Sequence, residues 1–409
     1  MPASLTLSGV RLATGATVDV VVRDGVIDAV EGHSGARGGL ELSGYLLLPA
    51  PVEPHTHLEK ALTAQLTTPA AGDLSTAVAS WQSYREHAEP GEVLERARRA
   101  ALQMVDRGVT AIRTHVDVGE RTGATFVKVM VELRAELVDV VTLQIVAMVN
   151  TPVCGSSEAV GNVAALRDAL VTGADLVGGA PYRDPDPDAA VALLLDVARD
   201  HAVPLDLHID ETLDSSVLTL ARLPAQLAAA EMTAAVTASH CVSLGVQPEE
   251  VVAEVAADLA TASVSVVTCP ATNLYLQGRS HPTPVPRGLT AISALHAAGV
   301  VVAAGGDNIQ DAFNPLGGGD PLVTAALLVW GAHLSPERAY QAVSADARIA
   351  MGLPAVQLLP GDPADLLAIR ASDIRGALAD PQTDRVVIRG GRVVSRTAVA
   401  TDRCPVRPA

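Results

Sequence analysis

The stretch Pro51-Val52-Glu53-Pro54-His55-Thr56-His57-Leu58-Glu59-Lys60 follows directly on the apolar run Tyr45-Leu46-Leu47-Leu48-Pro49. In an extended strand, residues i and i+2 project to the same side. His55 and His57 therefore leave the end of that strand together, spaced for one metal ion. The pattern recurs further along the chain. Later strand-like runs end in Asp206-Leu207-His208, Ala238-Ser239-His240 and Gly305-Gly306-Asp307.

Working outward, apolar runs near 45–52, 110–117, 143–149, 175–179, 204–209, 235–241, 264–269 and 300–306 alternate with helical stretches such as Val93–Arg107, Val127–Leu137, Ala189–His201 and Gln247–Ala260. Eight such strands predict an α/β fold, a parallel (β/α)8 barrel over residues 50–354, with a doubly wound open sheet as the alternative. The barrel is preferred because the candidate ligands end runs one, five, six and eight. Those ends share one mouth in a barrel and spread along an edge in an open sheet. The chain ends differ in character. Leu5–Leu7, Val18–Val22 and Gly25–Ile27, with Asp365–Ile369 and Arg385–Val394, alternate like half-buried antiparallel strands. Residues 1–49 and 355–409 are expected to build one small β-sandwich.

With 409 residues, 49% hydrophobic and 18% charged, the chain has the composition of a compact globular protein. A formal net charge of −17 argues against nucleic acid and anionic membrane as partners. No apolar run is long enough to span a bilayer, and the start Met1-Pro2-Ala3-Ser4-Leu5 lacks a signal-peptide pattern. Cys154, Cys241, Cys269 and Cys404 are scattered without a C-x-x-C pair, as expected of reduced thiols in a cytoplasmic protein.

Three imidazoles and a carboxylate around a divalent ion leave a position for water, the arrangement of a catalytic site. The ion would make that water a hydroxide source near neutral pH. Glu211, in His208-Ile209-Asp210-Glu211, is the carboxylate best placed to move a proton from water to a leaving group. His240 is either a ligand or a polarising group just outside the ligands. His115, in Arg113-Thr114-His115-Val116-Asp117, either faces the site or fills the barrel. His33, His87, His201, His281, His296 and His333 fall off this register and are expected to be structural or solvated. Two-metal barrels commonly bridge their ions with a carboxylated lysine on strand four. Here Ala174-Asp175-Leu176-Val177-Gly178-Gly179 holds none, so one ion per chain, Zn or Fe, is expected.

Together these stretches resemble the amidohydrolase superfamily, and within it the bacterial cytosine deaminase branch. The matching segments are Val52–Leu58, Thr114–Val118, Gln144–Ala147, His208–Glu211, Thr237–His240, Leu276–Arg279 and Gly306–Asn308, in order over nearly the whole chain. The resemblance implies a metal held by His55, His57, His208 and Asp307, with Glu211 as proton shuttle and His240 beside the nucleophile. It implies hydroxide attack on a ring carbon of a cyclic amidine, Asp307 taking the proton and ammonia leaving, in a homo-oligomer. Hydrolysis of a cyclic amide or an N-alkylamino heterocycle is the alternative reaction for the same site.

Departures from that branch bear on the substrate. The place of a pyrimidine-reading glutamine is taken by Asn150 in Met148-Val149-Asn150, and Asn308 stands where a second acid usually follows Asp307. Lys60 and Lys128 are the only lysines, so a retained Lys60 points to a need for a compact ammonium. Arg183, after strand four, is a second cation on the same face. Trp81, Tyr182, Tyr275 and Phe313 are expected in loops that follow strands, where planar rings suit a heterocycle. Asn150, Lys60, Arg183, Asn308 and Phe313 are the expected substrate-binding residues. The expected ring is larger than cytosine, or bears an extra acceptor or anionic group meeting Lys60 or Arg183.

Overall fold

The computed structural model describes residues 4–35, 38–67 and 72–403; Cys404 lies outside them. Eight parallel strands form the central sheet in chain order: Glu53–Thr56, Ala111–Val118, Thr142–Val149, Leu176–Gly179, Leu205–Ile209, Val236–His240, Ser265–Thr268 and Val302–Ala304. The last returns to the first through a parallel bridge between Asp307 and Thr56. There Asp307 N donates to His55 O at 2.9 Å and Thr56 Oγ1 donates to Asp307 O at 2.6 Å. The seam closes tightly because Gly305 has no side chain: a Cβ there would lie 2.7 Å from Glu53 Oε1 and 2.9 Å from His55 O. Closure removes the open-sheet alternative and gives the strand ends one mouth.

The expected helices lie within the observed shell, at Pro90–Asp106, Thr125–Glu136, Pro187–His201 and Glu249–Thr261. Their starts carry local signals. Asp186 accepts from Ala189 N and Ser156 from Ala159 N, satisfying backbone donors that a helix start leaves free. Among the described residues, no helix is long and apolar enough to cross a membrane.

The termini combine as expected. Strands Ser4–Arg11, Thr17–Arg23, Val26–Gly32, Leu40–Glu41, Leu46–Pro49, Leu366–Ile369, Arg385–Arg389 and Arg392–Thr397 form one mixed sheet. It wraps a core of its own that joins Leu7, Val20 and Ile27 to Leu366, Ala368 and Ile388. Gly390 and Gly391, at φ +52° and +74°, turn the run 385–394 into a hairpin.

One expectation is corrected. The run 45–52 is not the first barrel strand: Leu46–Pro49 pairs antiparallel with Leu366–Ile369 in the terminal sheet. Leu46 and Leu48 pack into the barrel core and Leu47 into the small core, so the run is apolar on both faces. A barrel strand buried on both faces has the same pattern, and periodicity does not name the partner. The barrel begins after the break at Ala50-Pro51-Val52, with His55 inside the first strand and His57 just past it.

Candidate active site

His55, His57, His208, His240, Glu211 and Asp307 converge, all buried, at the mouth where the barrel strands end. The local backbone is unusual there: Asp210, His240, Cys241 and Asp307 have φ of +50°, +70°, +50° and +62°. Left-handed conformations in non-glycine residues cost energy and persist where the surroundings hold them, commonly at functional sites.

His57 Nε2 lies 3.3 Å from His208 Nε2 and 3.4 Å from Asp307 Oδ1, and His55 Nε2 lies 3.7 Å from Asp307 Oδ1. A tetrahedron with metal–nitrogen bonds of ~2.0–2.1 Å has edges of about 3.3–3.4 Å. His55 Nε2 and Asp307 Oδ1 are buried without a hydrogen-bond partner. Such atoms are costly unless something meets them. The far sides of the His55 and His57 rings are met, whereas His208 Nδ1 is buried without a partner. Ser239 Oγ lies 2.9 Å from His55 Nδ1 and donates onward to Asp206 Oδ1 at 2.9 Å. The His115 carbonyl, which can only accept, lies 3.2 Å from His57 Nδ1. The serine contact places the His55 proton on Nδ1 and leaves its Nε2 with a bare lone pair, as metal-binding imidazoles require; at His57 the Lys60 ammonium, which can only donate, lies 3.1 Å from the same Nδ1. These spacings and unmet atoms suit a divalent ion, and the groups whose ligand atoms all lie within 4.8 Å of one another include His55, His115 and His208. Cys269 forms another such group with His55, His240 and Asp307, and burial pushes its thiol well above the usual range.

Glu211 lies beside this group, its Oε1 3.6 Å from His240 Nδ1. Burial pushes its carboxyl up to about 7, against the opposing charges of Arg183 and Lys60. Burial lowers the His240 imidazole from its usual range, and its Nε2 has no partner. Asn273 binds both: its Nδ2 donates to Glu211 Oε1 at 3.3 Å and lies 3.2 Å from His240 Nδ1. Gln277 Nε2 donates to the Glu211 carbonyl at 3.1 Å.

The candidate substrate residues part ways. Lys60, Asn150, Arg183, Asn308 and Phe313 all line the cavity over the histidines, with Trp81 and Tyr182. Tyr275 does not. Lys60 is buried and committed: Nζ donates to Asp117 Oδ1 at 3.1 Å, with Glu59 Oε1 at 3.9 Å and the Phe313 ring centroid at 5.2 Å. Asn308 is bound internally, its Nδ2 donating to Asp311 at 2.8 Å and its Oδ1 accepting from Thr272 at 3.3 Å. Asn150 Oδ1 accepts from Arg85 Nη1 at 3.2 Å. Arg183 stands exposed at the rim. His115 is fully buried, its ring 4.0 Å from that of His55; both its ring nitrogens lack partners, and with His55 and His208 it forms a group close enough to share an ion, although it does not line the cavity.

Sequence reasoning missed Asp117, Arg85, Asn273, Ser239 and Glu53 as supporting residues. Asp117 accepts from Lys60, from Trp81 Nε1 at 2.9 Å and from Arg85 Nη1 at 3.2 Å. Glu53 accepts from His55 N and Gly306 N, and burial pushes its carboxyl up to about 8. Asp117 and Ser239 stand two residues past His115 and one before His240, so their strand register was a usable signal. Nothing local marks Arg85 or Asn273.

The chain belongs to the amidohydrolase family, which it matches over residues 61–395. It is an enzyme that hydrolyses C–N bonds. Among its relatives is the pterin deaminase of Rhizobium rhizogenes, 32% identical over 93% of this chain and 88% of that one. A crystal structure of 5-methylcytosine deaminase from Klebsiella pneumoniae liganded with 5-fluorocytosine is similar at TM-score 0.89 and 27% identity, covering 98% of this chain and 100% of that one. N-isopropylammelide isopropylaminohydrolase from Burkholderia multivorans is similar at TM-score 0.82 and 29% identity, over 97% of this chain and 100% of that one.

Proposed function

We propose that this enzyme is a one-metal deaminase of a cyclic amidine in a heterocycle, with a 2-amino-4-oxopteridine (pterin) ring as the first candidate. The observation that carries the reading is the approach of His57 Nε2 to His208 Nε2 and Asp307 Oδ1 at 3.3 and 3.4 Å and of His55 Nε2 to Asp307 Oδ1 at 3.7 Å, with Glu211 alongside. His55, His57, His208 and Asp307 would hold the ion. When bound, a Zn or Fe ion supplies an acidified water as nucleophile near neutral pH.

The chain's own groups do the rest. Asp307 and Glu211 take up the protons of the attacking water; Glu211, at about 7, both accepts and returns one close to neutral pH. Glu211 delivers its proton to the ring nitrogen, and the proton taken up by Asp307 passes to the departing amine. The C–N bond breaks, a carbonyl forms and ammonia leaves. His240, neutral with Nε2 free, faces the oxygen that becomes the carbonyl. Trp81, Tyr182 and Phe313 offer planar walls for the ring, and Asn150, fixed by Arg85, stands where a longer amide would crowd a second fused ring. The pterin deaminase relative supports that choice of ring. The unpaired Cys154, Cys241 and Cys269 support a reducing compartment, and we place the enzyme in the cytoplasm as a homo-oligomer.

The test is an ammonia-release screen over pterin, cytosine, isocytosine and aminotriazines. Pterin should be turned over faster than cytosine. Glu211→Gln should lower kcat by roughly 10²–10⁴-fold at unchanged metal content. Release of an alkylamine from N-alkylamino rings, with ammonia from none, would overturn this reading in favour of the alternative.

A further inference from the structure

The cavity over the histidines is not the end of the path from the mouth. A second, outer chamber shares Leu74, Tyr182, Arg183 and Glu211 with it. A ring whose reacting carbon lies beside Glu211 has a route for a substituent past Arg183 into that chamber. Arg279 and His281 stand on its far wall.

The charges of this chamber are unevenly committed. Its two acidic rim residues serve local turns: Asp73 Oδ1 accepts from Thr76 N at 2.9 Å, and Asp214 Oδ1 accepts from Ser216 N at 2.9 Å. Among the described residues, neither Arg183 nor Arg279 has a carboxylate within ion-pair distance, although many arginines of the chain do. The Arg279 guanidinium lies 4.3 Å from the Tyr275 ring centroid, which leaves its donors free at the edge. A chain with a net charge of −17 repels anions at long range. Two unpaired guanidiniums at the mouth reverse that field where a substrate enters. Lys60, the deeper cation, is taken by Asp117 and does not serve this purpose.

We infer that the substrate carries an anionic substituent on its ring, received in the outer chamber by Arg183 and Arg279. Guanidinium forks match planar carboxylates. The inference rests on the deaminase reading and adds the substrate's charge to it.

The experiment compares pterin with its 6- and 7-carboxylates at low ionic strength. At least one carboxylate should exceed pterin in kcat/KM by about tenfold, with the advantage shrinking as salt is added. Arg183→Gln and Arg279→Gln should each lower the carboxylate-to-pterin ratio by roughly three- to tenfold. Because the ratio is internal to each protein, a partly misfolded variant does not alter it. A wild-type ratio of one or less for both carboxylates, or a ratio unmoved in the double variant, overturns the inference while leaving the deaminase reading intact. If no ring releases ammonia, the deaminase reading fails instead. Calorimetric titration of the same rings into Glu211→Gln protein still reports whether the carboxylate is preferred and whether the arginines carry that preference.

Discussion

Asn273 touches both groups that handle protons, and it does so from a short helix, Pro270–Leu276, that supplies no ligand of its own. Its amide is a positioning group that fixes one Glu211 oxygen. Asn273→Ala should lower kcat by on the order of 10–100-fold with a smaller change in KM and unaltered metal content. Equal changes in kcat and metal content would assign it to the ion instead. A second residue acts on stability alone. His296 Nε2 accepts from Arg338 at 2.8 Å, and burial with that charge lowers it from 6.5 to about 4. Its folded pKa is depressed, so the unfolded chain binds the proton first as pH falls. The stability it contributes is present above about 6.5 and lost on acidification toward 4. Melting curves of the native protein and His296→Gln should therefore converge between pH 7 and pH 4.5; parallel curves would contradict this. The histidines and Glu211 were legible because each ends a strand in register. Asn273 and Arg85 were not, because their partners lie 62 and 32 residues away in sequence.

At the scale of elements, the helix Leu74–Arg85 is tied over the mouth by Asp117, which receives Trp81 and Arg85 from it and Lys60 from the loop after the first barrel strand. Two buried cations share one carboxylate. Asp117→Asn leaves both short of countercharge and should cost on the order of 3–5 kcal/mol in denaturant unfolding; a loss under about 1 kcal/mol would show that water reaches the pair. The fourth barrel strand makes a different demand. A Cβ on Gly178 would stand 2.5 Å from Val146 Cγ1 and 3.0 Å from Asp206 O, so neighbouring strands close on a bare backbone. Gly178→Ala should destabilise by about 1–3 kcal/mol through overpacking. Alternation of strand and helix was readable from apolar periodicity. The partner of Leu46–Pro49 was not, because a strand buried on both faces has one pattern in either sheet.

For the molecule as a whole, the chain leaves the terminal sheet at Pro49, runs through the barrel and returns to that sheet at Leu366. The two ligand candidates on His-x-His therefore sit just past the point where the small sheet hands over to the barrel. The seam that closes the barrel, Thr56 to Asp307, joins the first candidate ligands to the last. Closure and the convergence of these side chains are thus one structural event, foreshadowed in sequence by the order of the strand ends. The substrate side was less legible: Lys60 and Asn308 were expected to bind substrate, yet Asp117, 57 residues on, engages the first and Asp311, three residues on, engages the second. The central claim is a site built for a single divalent ion from His55, His57, His208 and Asp307. Its most direct test is elemental analysis of protein purified without chelator, alongside His208→Ala. The account predicts about one equivalent of Zn or Fe per chain, lost in the variant. Two equivalents, or one retained after His208→Ala, would contradict it.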